Sequence, residues 1–251
     1  MNGTLLGSGG WIPTSRRETC CALLREGSHA LVIDAGTGIQ RLVEGRDLLA
    51  GVESLDIVLT HFHLDHVVGL GYLPALPLPS PPTIWGAGRM LAGVPTRSLL
   101  GRLLGEPFFS APLDEIAASV REIEEDELDI GPFPIATRVQ KLHAVPTLAL
   151  RVGDLVTYCT DTAPDPGNVA FAAQSRVLLH DAWYAQATSD DGNHSAGGDA
   201  GRIARQAAVE RLVLIHVNPF QVSDEALANT ARAEFAAADV GVDLAAIPLD
   251  G

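Results

Sequence analysis

Lysine occurs once in the 251 residues, at Lys141, and cysteine three times. With 17 basic residues against 31 acidic ones the formal net charge is −14, so no basic stripe can be drawn along the chain. Nucleic-acid affinity comes largely from lysine and arginine displacing counterions along phosphates, and this balance opposes a general polyanion-binding surface. Cys20 and Cys21 are adjacent and Cys159 is remote, which makes neither a disulfide framework nor a C-x-x-C zinc knuckle; reduced thiols are expected. No apolar run approaches the roughly 18 residues of a membrane span. The opening "MNGTLLGSGG" has no basic region followed by an apolar one, so a cytoplasmic location without membrane contact is expected. There is no fixed-period repeat and no composition shift that would mark a linker, and one domain over residues 1–251 is the simplest reading. What is present is 47% hydrophobic and 19% charged residues, the mix of a chain that buries a core.

The periodicities alternate between strand and helix. "TLLGSG", "CALLRE", "ALVIDAG" and "LDIVLT" read as strands, and "TGIQRLVEG" as a short helix capped by Thr37 and stopped near Gly45. The five prolines from Pro74 to Pro82 exclude a helix interior or a central strand there. "TIWGA" is strand-like and "RMLAGVPTRSLLGRLL" helical with a break near Pro95. The acidic "LDEIAASVREIEEDELDIG" reads as a solvated helical or turn region. The stretch from Pro74 to Gly131 is a candidate lid or subunit contact. Beyond it, "FPIATRVQKLHAV", "LALRVG", "LVTYCTD", "RVLLHDAW" and "RLVLIHV" are strands; "GGDAGRIARQAAVE" and "SDEALANTARAEFAAA" are helices, and "VDLAAIPLD" is a last strand. Sheets covered by helices follow, an α/β layered class.

The densest chemistry lies in "LTHFHLDHVVGL". His61, His63 and Asp65 alternate, so in extended chain they share one side, and His66 follows where a helix is expected to begin. Imidazole nitrogens and carboxylate oxygens suit Zn²⁺, Mn²⁺ or Fe²⁺. His143, Asp161 and His216 each follow a strand-like run, at the carboxyl ends where layered sheets commonly place ligands.

"HFHLDH" resembles the H-x-H-x-D-H signature of the metallo-β-lactamase-fold hydrolases. The ordered blocks "LLGSGGWIPTSRRETCCALL", "LVIDAGTGIQRL", "THFHLDHVVGL", "KLHAVPTLALRV", "YCTDTAP" and "HSAGGDAGRIARQAAVERLVLIHV" resemble the ribonuclease Z and cyclic-phosphodiesterase branch over nearly the whole chain. The resemblance implies a four-layer αββα sandwich and two divalent metal ions, usually zinc. His61, His63 and His143 would hold one ion, Asp65, His66 and His216 the other, and Asp161 both. It also implies an activated water as nucleophile, with Asp65 orienting it. His194 of "GNHSAGG" would donate a proton to the leaving group, and Asp181 would be its acidic partner. Asp34 is expected to brace the ligand loop, His29 to sit in a solvated turn and Cys159 to be a buried thiol. His180 is either a core histidine or a support of the site, and Trp11 either packing or part of the entrance.

The chain departs from the transfer-RNA nucleases of that branch. Only 17 residues separate His143 from Asp161, where those nucleases insert a long basic arm; the last block reads "HVNPF", and Ala196 follows Ser195 in place of threonine. A small phosphodiester, such as a cyclic nucleotide or cyclic sugar phosphate, is therefore the expected substrate. The other readings are a lactone, ester or thioester on the same site, then tRNA 3′-end cleavage, then a non-catalytic metal-containing binding protein. Nucleic acid is not the expected partner, and the branch makes a homodimer an option.

Overall fold

The computed structural model describes residues 1–186, 192–220 and 223–249. Among the described residues thirteen strands are distributed over two sheets. The first contains β1 (Asn2–Gly7), β2 (Cys21–Glu26), β3 (His29–Ile33), β4 (Ser54–Val58), β5 (Thr83–Gly86) and β6 (Ser119–Glu122), side by side in sequence order. The turns from β1 to β3 give antiparallel pairs, and β3 to β6 run parallel. The second holds β7 (Glu127–Ile130), β8 (Phe133–Gln140), β9 (Thr147–Val152), β10 (Val156–Cys159), β11 (Val177–Asp181), β12 (Arg211–Ile215) and β13 (Ala238–Val240). Here β7 to β10 form an antiparallel meander and β10 to β13 run parallel.

Helices occupy the connections: α1 (Gln40–Glu44), α2 (Leu64–Val67), α3 (Gly88–Ala92), α4 (Thr96–Leu103), α5 (Leu113–Ile116), α6 (Gly167–Phe171), α7 (Gly197–Ala207) and α8 (Asp224–Glu234). Parallel strands need such crossovers, which coat the sheet faces.

Side-chain alternation shows how the layers stack. On β3, Ala30 and Val32 face a core shared with Ile39, Leu42 and Leu70, whereas Leu31 and Ile33 face one shared with Leu148, Leu150 and Tyr158 of the other sheet. On β11, Val177 and Leu179 join this inter-sheet core, and Leu178 faces a third core with Ile203, Ala204 and Leu227 of α7 and α8. Three cores separate four layers, the expected αββα sandwich. Close packing in the outer layer depends on Gly201, where a Cβ would lie 2.6 Å from the carbonyl oxygen of Ala231 on α8. Ser223 caps α8 by accepting the N–H of Ala226 at 3.1 Å.

Four local expectations are corrected. Thr37 lies inside a 3-10 turn, Thr37–Ile39, and its hydroxyl accepts the N–H of Thr19 at 2.9 Å instead of capping a helix. Pro74 lies in the last turn of the 3-10 segment Val68–Ala75, where a missing N–H costs a single bond. The acidic stretch, expected as helix or turn, holds α5 and the sheet-edge strands β6 and β7; Arg121, Glu127 and Asp129 are exposed, while half-buried Glu122 accepts the amides of Arg89 and Thr96. The candidate lid from Pro74 to Gly131 thus supplies strands to both sheets. Finally, β13 ends at Val240, and residues 242–249 run irregularly beside β1, with Leu244 N–H donating to Leu5 O and Ile247 N–H to Gly3 O. Gly241, Pro248 and the left-handed backbone of Leu244, φ 65°, interrupt the apolar alternation that suggested a strand.

Candidate metal centre

The sheets bring their strand ends together at one edge. Asp34 follows β3, His61 to His66 follow β4, and His143 follows β8 by a short loop. Asp161 follows β10, Asp181 ends β11, and His216 follows β12. Backbone strain concentrates here: Trp11, Asp34, Asp161 and His216 have φ of 65°, 60°, 50° and 55°. Left-handed conformations cost about 1–3 kcal/mol each for non-glycine residues and persist where the surroundings over-determine them.

Asp161 is central. Its Oδ1 lies 3.8 Å from His61 Nε2, 3.6 Å from His143 Nε2 and 3.3 Å from His216 Nε2, and its Oδ2 lies 3.1 Å from His66 Nε2. His143 Nε2 is 3.3 Å from His63 Nδ1. Asp65 Oδ2 lies 3.5 Å from His66 Nε2 and 3.4 Å from His216 Nε2. Ligand atoms about 2.0–2.1 Å from a tetrahedral ion are about 3.3 Å from each other, and these separations bracket that value.

The rings are held from behind. Nδ1 of His66 is 2.8 Å from Asp34 Oδ2, Nδ1 of His61 is 3.1 Å from Thr60 Oγ1, and Nδ1 of His143 is 3.0 Å from Asn193 O. Asp34 also accepts the amide of Thr60 at 2.8 Å. Such contacts orient an imidazole so that its other nitrogen faces an ion. Nε2 of His61 and of His66 is buried and makes no hydrogen bond. Buried polar atoms are rarely left that way, and a cation facing each nitrogen would account for the arrangement.

Protonation fits as well. Burial pushes His61 well below the ordinary histidine range, and burial together with His143 lowers His63, so both keep lone pairs. Burial would raise Asp161, but His216, His66 and His61 hold it well below the carboxylate range; His66 and His216 do the same for Asp65. Burial alone would lower His66; Asp161, Asp34 and Asp65 overcome it and hold it raised, marking a place that favours positive charge.

A second arrangement adjoins the first. Asp181 Oδ2 lies 2.8 Å from His194 Nδ1, while its Oδ1 accepts the Ser195 amide at 2.9 Å. Trp183 stacks on the His194 ring at 4.8 Å and 19°. A nitrogen of His194 also lies within 4.8 Å of ligand atoms of Asp161 and His216, so the site offers it as a further donor.

All seven sequence-derived ligand candidates, with His194 and Asp181, therefore meet in space. Asp34 braces the loop as expected, Cys159 is buried in the outer core, His29 is exposed, and Trp11 lines the cleft. His180 is buried, its Nδ1 2.9 Å from the Asp181 carbonyl oxygen. Several contributors were not singled out. Gly10 abuts His216, and a Cβ there would fall on the imidazole ring; the glycine pair after β1 was the available signal. Trp183 and Asn193 carried none, since their contacts with His194 and His143 are set by which loops meet; Thr60 touches its neighbour His61 and, across loops, Asp34. Cys20, read only as a reduced thiol, has its sulfur within 4.8 Å of nitrogens of His66 and His216.

Residues 29–217 match the family described as beta-lactamase superfamily domain. The chain is 25% identical to ribonuclease Z of Natronomonas pharaonis over 275 residues, covering 88% of each chain. It is 27% identical to the probable metallo-hydrolase YhfI of Bacillus subtilis over 244 residues, 89% of this chain and 90% of that protein. The crystal structure of YhfI superposes with a TM-score of 0.79 over 98% of each chain at 21% identity. A diphosphatase of the PhnP family superposes with a TM-score of 0.77 over 99% of this chain and 98% of that one, at 16% identity. No helix among the described residues is long and apolar enough to cross a membrane. The chain belongs to the beta-lactamase superfamily and is a metal-dependent hydrolase with the metallo-β-lactamase fold.

Proposed function

We propose that the chain, as one αββα unit in the cytoplasm, hydrolyses a small phosphodiester using two divalent ions, zinc in the first instance. The observation that carries this reading is the Asp181–His194 pair beside the Asp161 centre. His61, His63 and His143 would hold one ion and Asp65, His66 and His216 the other, with Asp161 serving both. Bound there, the ions supply Lewis acidity that lowers the pKa of water towards neutrality and offsets charge on the phosphoryl oxygens.

The remaining work falls to side chains. Asp65 would accept the proton of the attacking water. As water oxygen bonds to phosphorus, the bond to one ester oxygen breaks, and His194 protonates that departing oxygen. Asp181 fixes the His194 tautomer by accepting from Nδ1. Trp183 restricts the ring by stacking.

The test is turnover of bis(p-nitrophenyl) phosphate by zinc-loaded protein, lost in chelator and reduced in His194→Ala. A neutral ester or lactone is the second reading, favoured by a cleft whose described lining contains no lysine or arginine. Acyl turnover that exceeds phosphodiester turnover and survives His194→Ala would establish it. The likeness to ribonuclease Z keeps RNA among the substrates to assay.

A further inference from the structure

Ten large apolar side chains are exposed among the described residues, and six sit on the loops that carry the metal centre. Leu64 lies between His63 and Asp65, Leu142 and Val145 lie within two residues of His143, and Ile12 adjoins Trp11. Phe220 follows His216 by four positions. Exposed apolar groups concentrated at one place mark a surface made to be covered.

Two of the six form a defined structure. Trp11 is 61% exposed and Phe220 66%, yet their rings meet edge to face with centroids 5.9 Å apart. Trp11 lines the cleft of about 340 Å³ that also contains His63, Asp65, Asp161, His194 and His216. Its backbone is pinned to the centre, since its N–H donates to Asp65 Oδ2 at 2.7 Å from a left-handed conformation. The Trp11 backbone is therefore held beside Asp65, with its side chain in the lining of the cleft. No lysine or arginine lines this cleft among the described residues, so nothing there matches a polyanion.

We propose that Trp11, braced edge-on by Phe220, offers a stacking shelf for a flat aromatic ring of the substrate, so that the chain acts on a nucleoside cyclic monophosphate in preference to the cyclic phosphate of a bare sugar. The inference rests on the phosphodiester reading above. A nucleoside cyclic monophosphate carries a single negative charge, which suits a site without basic side chains. Its base offers a π face, and stacking on an aromatic side chain tolerates any of the bases. Purines and pyrimidines are thus both accepted.

The experiment compares kcat/KM for adenosine 2′,3′-cyclic monophosphate with that for ribose 2,3-cyclic phosphate in the wild type, Trp11→Ala, Trp11→Phe and Phe220→Ala, all zinc-loaded. Stacking losses of about 1–3 kcal/mol correspond to about 5- to 150-fold in binding. The adenosine-to-ribose ratio should fall by that factor in Trp11→Ala, through KM, and be largely kept in Trp11→Phe. Phe220→Ala, which removes the edge-on brace of the indole, should lower the ratio in the same direction. A ratio unchanged in both alanine variants overturns the shelf. Equilibrium binding of adenosine 3′-monophosphate and ribose 5-phosphate separates the two claims. A preference for the nucleotide that is lost in Trp11→Ala, with neither cyclic substrate hydrolysed, supports the shelf and sinks the phosphodiester reading. Equal binding of both by the wild type overturns the shelf.

Discussion

Asp181 binds two consecutive residues of one loop, His194 through Nδ1 at 2.8 Å and Ser195 through its amide at 2.9 Å. The carboxylate that orients the imidazole thus also fixes the backbone carrying it. His194→Ala is expected to lower kcat by about 10²- to 10⁴-fold, the range for removing a general acid. Asp181→Asn should lower it less, because the amide oxygen can still accept from Nδ1 and orient the ring while the carboxylate charge is lost. Steady-state pH profiles of both variants check this. A kcat unchanged in His194→Ala removes the proposed acid.

Asp34 has no expected contact with an ion, yet it is bonded to both His66 and Thr60. Losing a carboxylate behind a metal-binding histidine typically costs 10- to 100-fold in affinity, on the order given for such supporting groups. Asp34→Asn, which accommodates the same left-handed backbone, should show a loss of that size in chelator competition with little change in fold by circular dichroism.

Gly10 is predicted to be irreplaceable for a local reason. A methyl group at that position would occupy the His216 ring, so Gly10→Ala must displace the imidazole or the loop. The expected result is a protein that folds but holds fewer than two equivalents of zinc, measured by elemental mass spectrometry. Two tightly held equivalents would show that the loop yields instead.

The thiols are predicted to be silent. Cys20, Cys21 and Cys159 are fully buried, and burial raises all three above the ordinary thiol range. Native protein should react with no thiol-specific disulfide reagent over minutes, and denatured protein with three equivalents per chain. Fast reaction of native protein would mean that the outer cores holding Cys21 and Cys159, or the packing around Cys20 behind the metal centre, open.

Much of the fold was legible because one residue's neighbours in sequence also decide its layer. "CALLRE" coincides with β2, since uninterrupted apolar residues suit a strand buried on both faces. The stretch around β6 and β7 was not legible. Charges on the exposed side of an edge strand are indistinguishable from those of a solvated helix until the partner strand is known. The convergence of the candidate ligands was legible for a similar reason, because each side chain stands at a strand end that can be read locally. Asp34, at the end of β3, was legible in the same way, whereas the supports given by Trp183 and Gly10 depend on which loops meet, and that is decided by sheet order.

The central claim is that Asp161 joins two ion sites, and metal stoichiometry tests it most directly. Zinc bound after dialysis, measured by elemental mass spectrometry on wild type and Asp161→Ala side by side, is predicted to be two equivalents per chain in the first and no more than one in the second. Two equivalents retained without Asp161, or none bound by the wild type, would contradict the account.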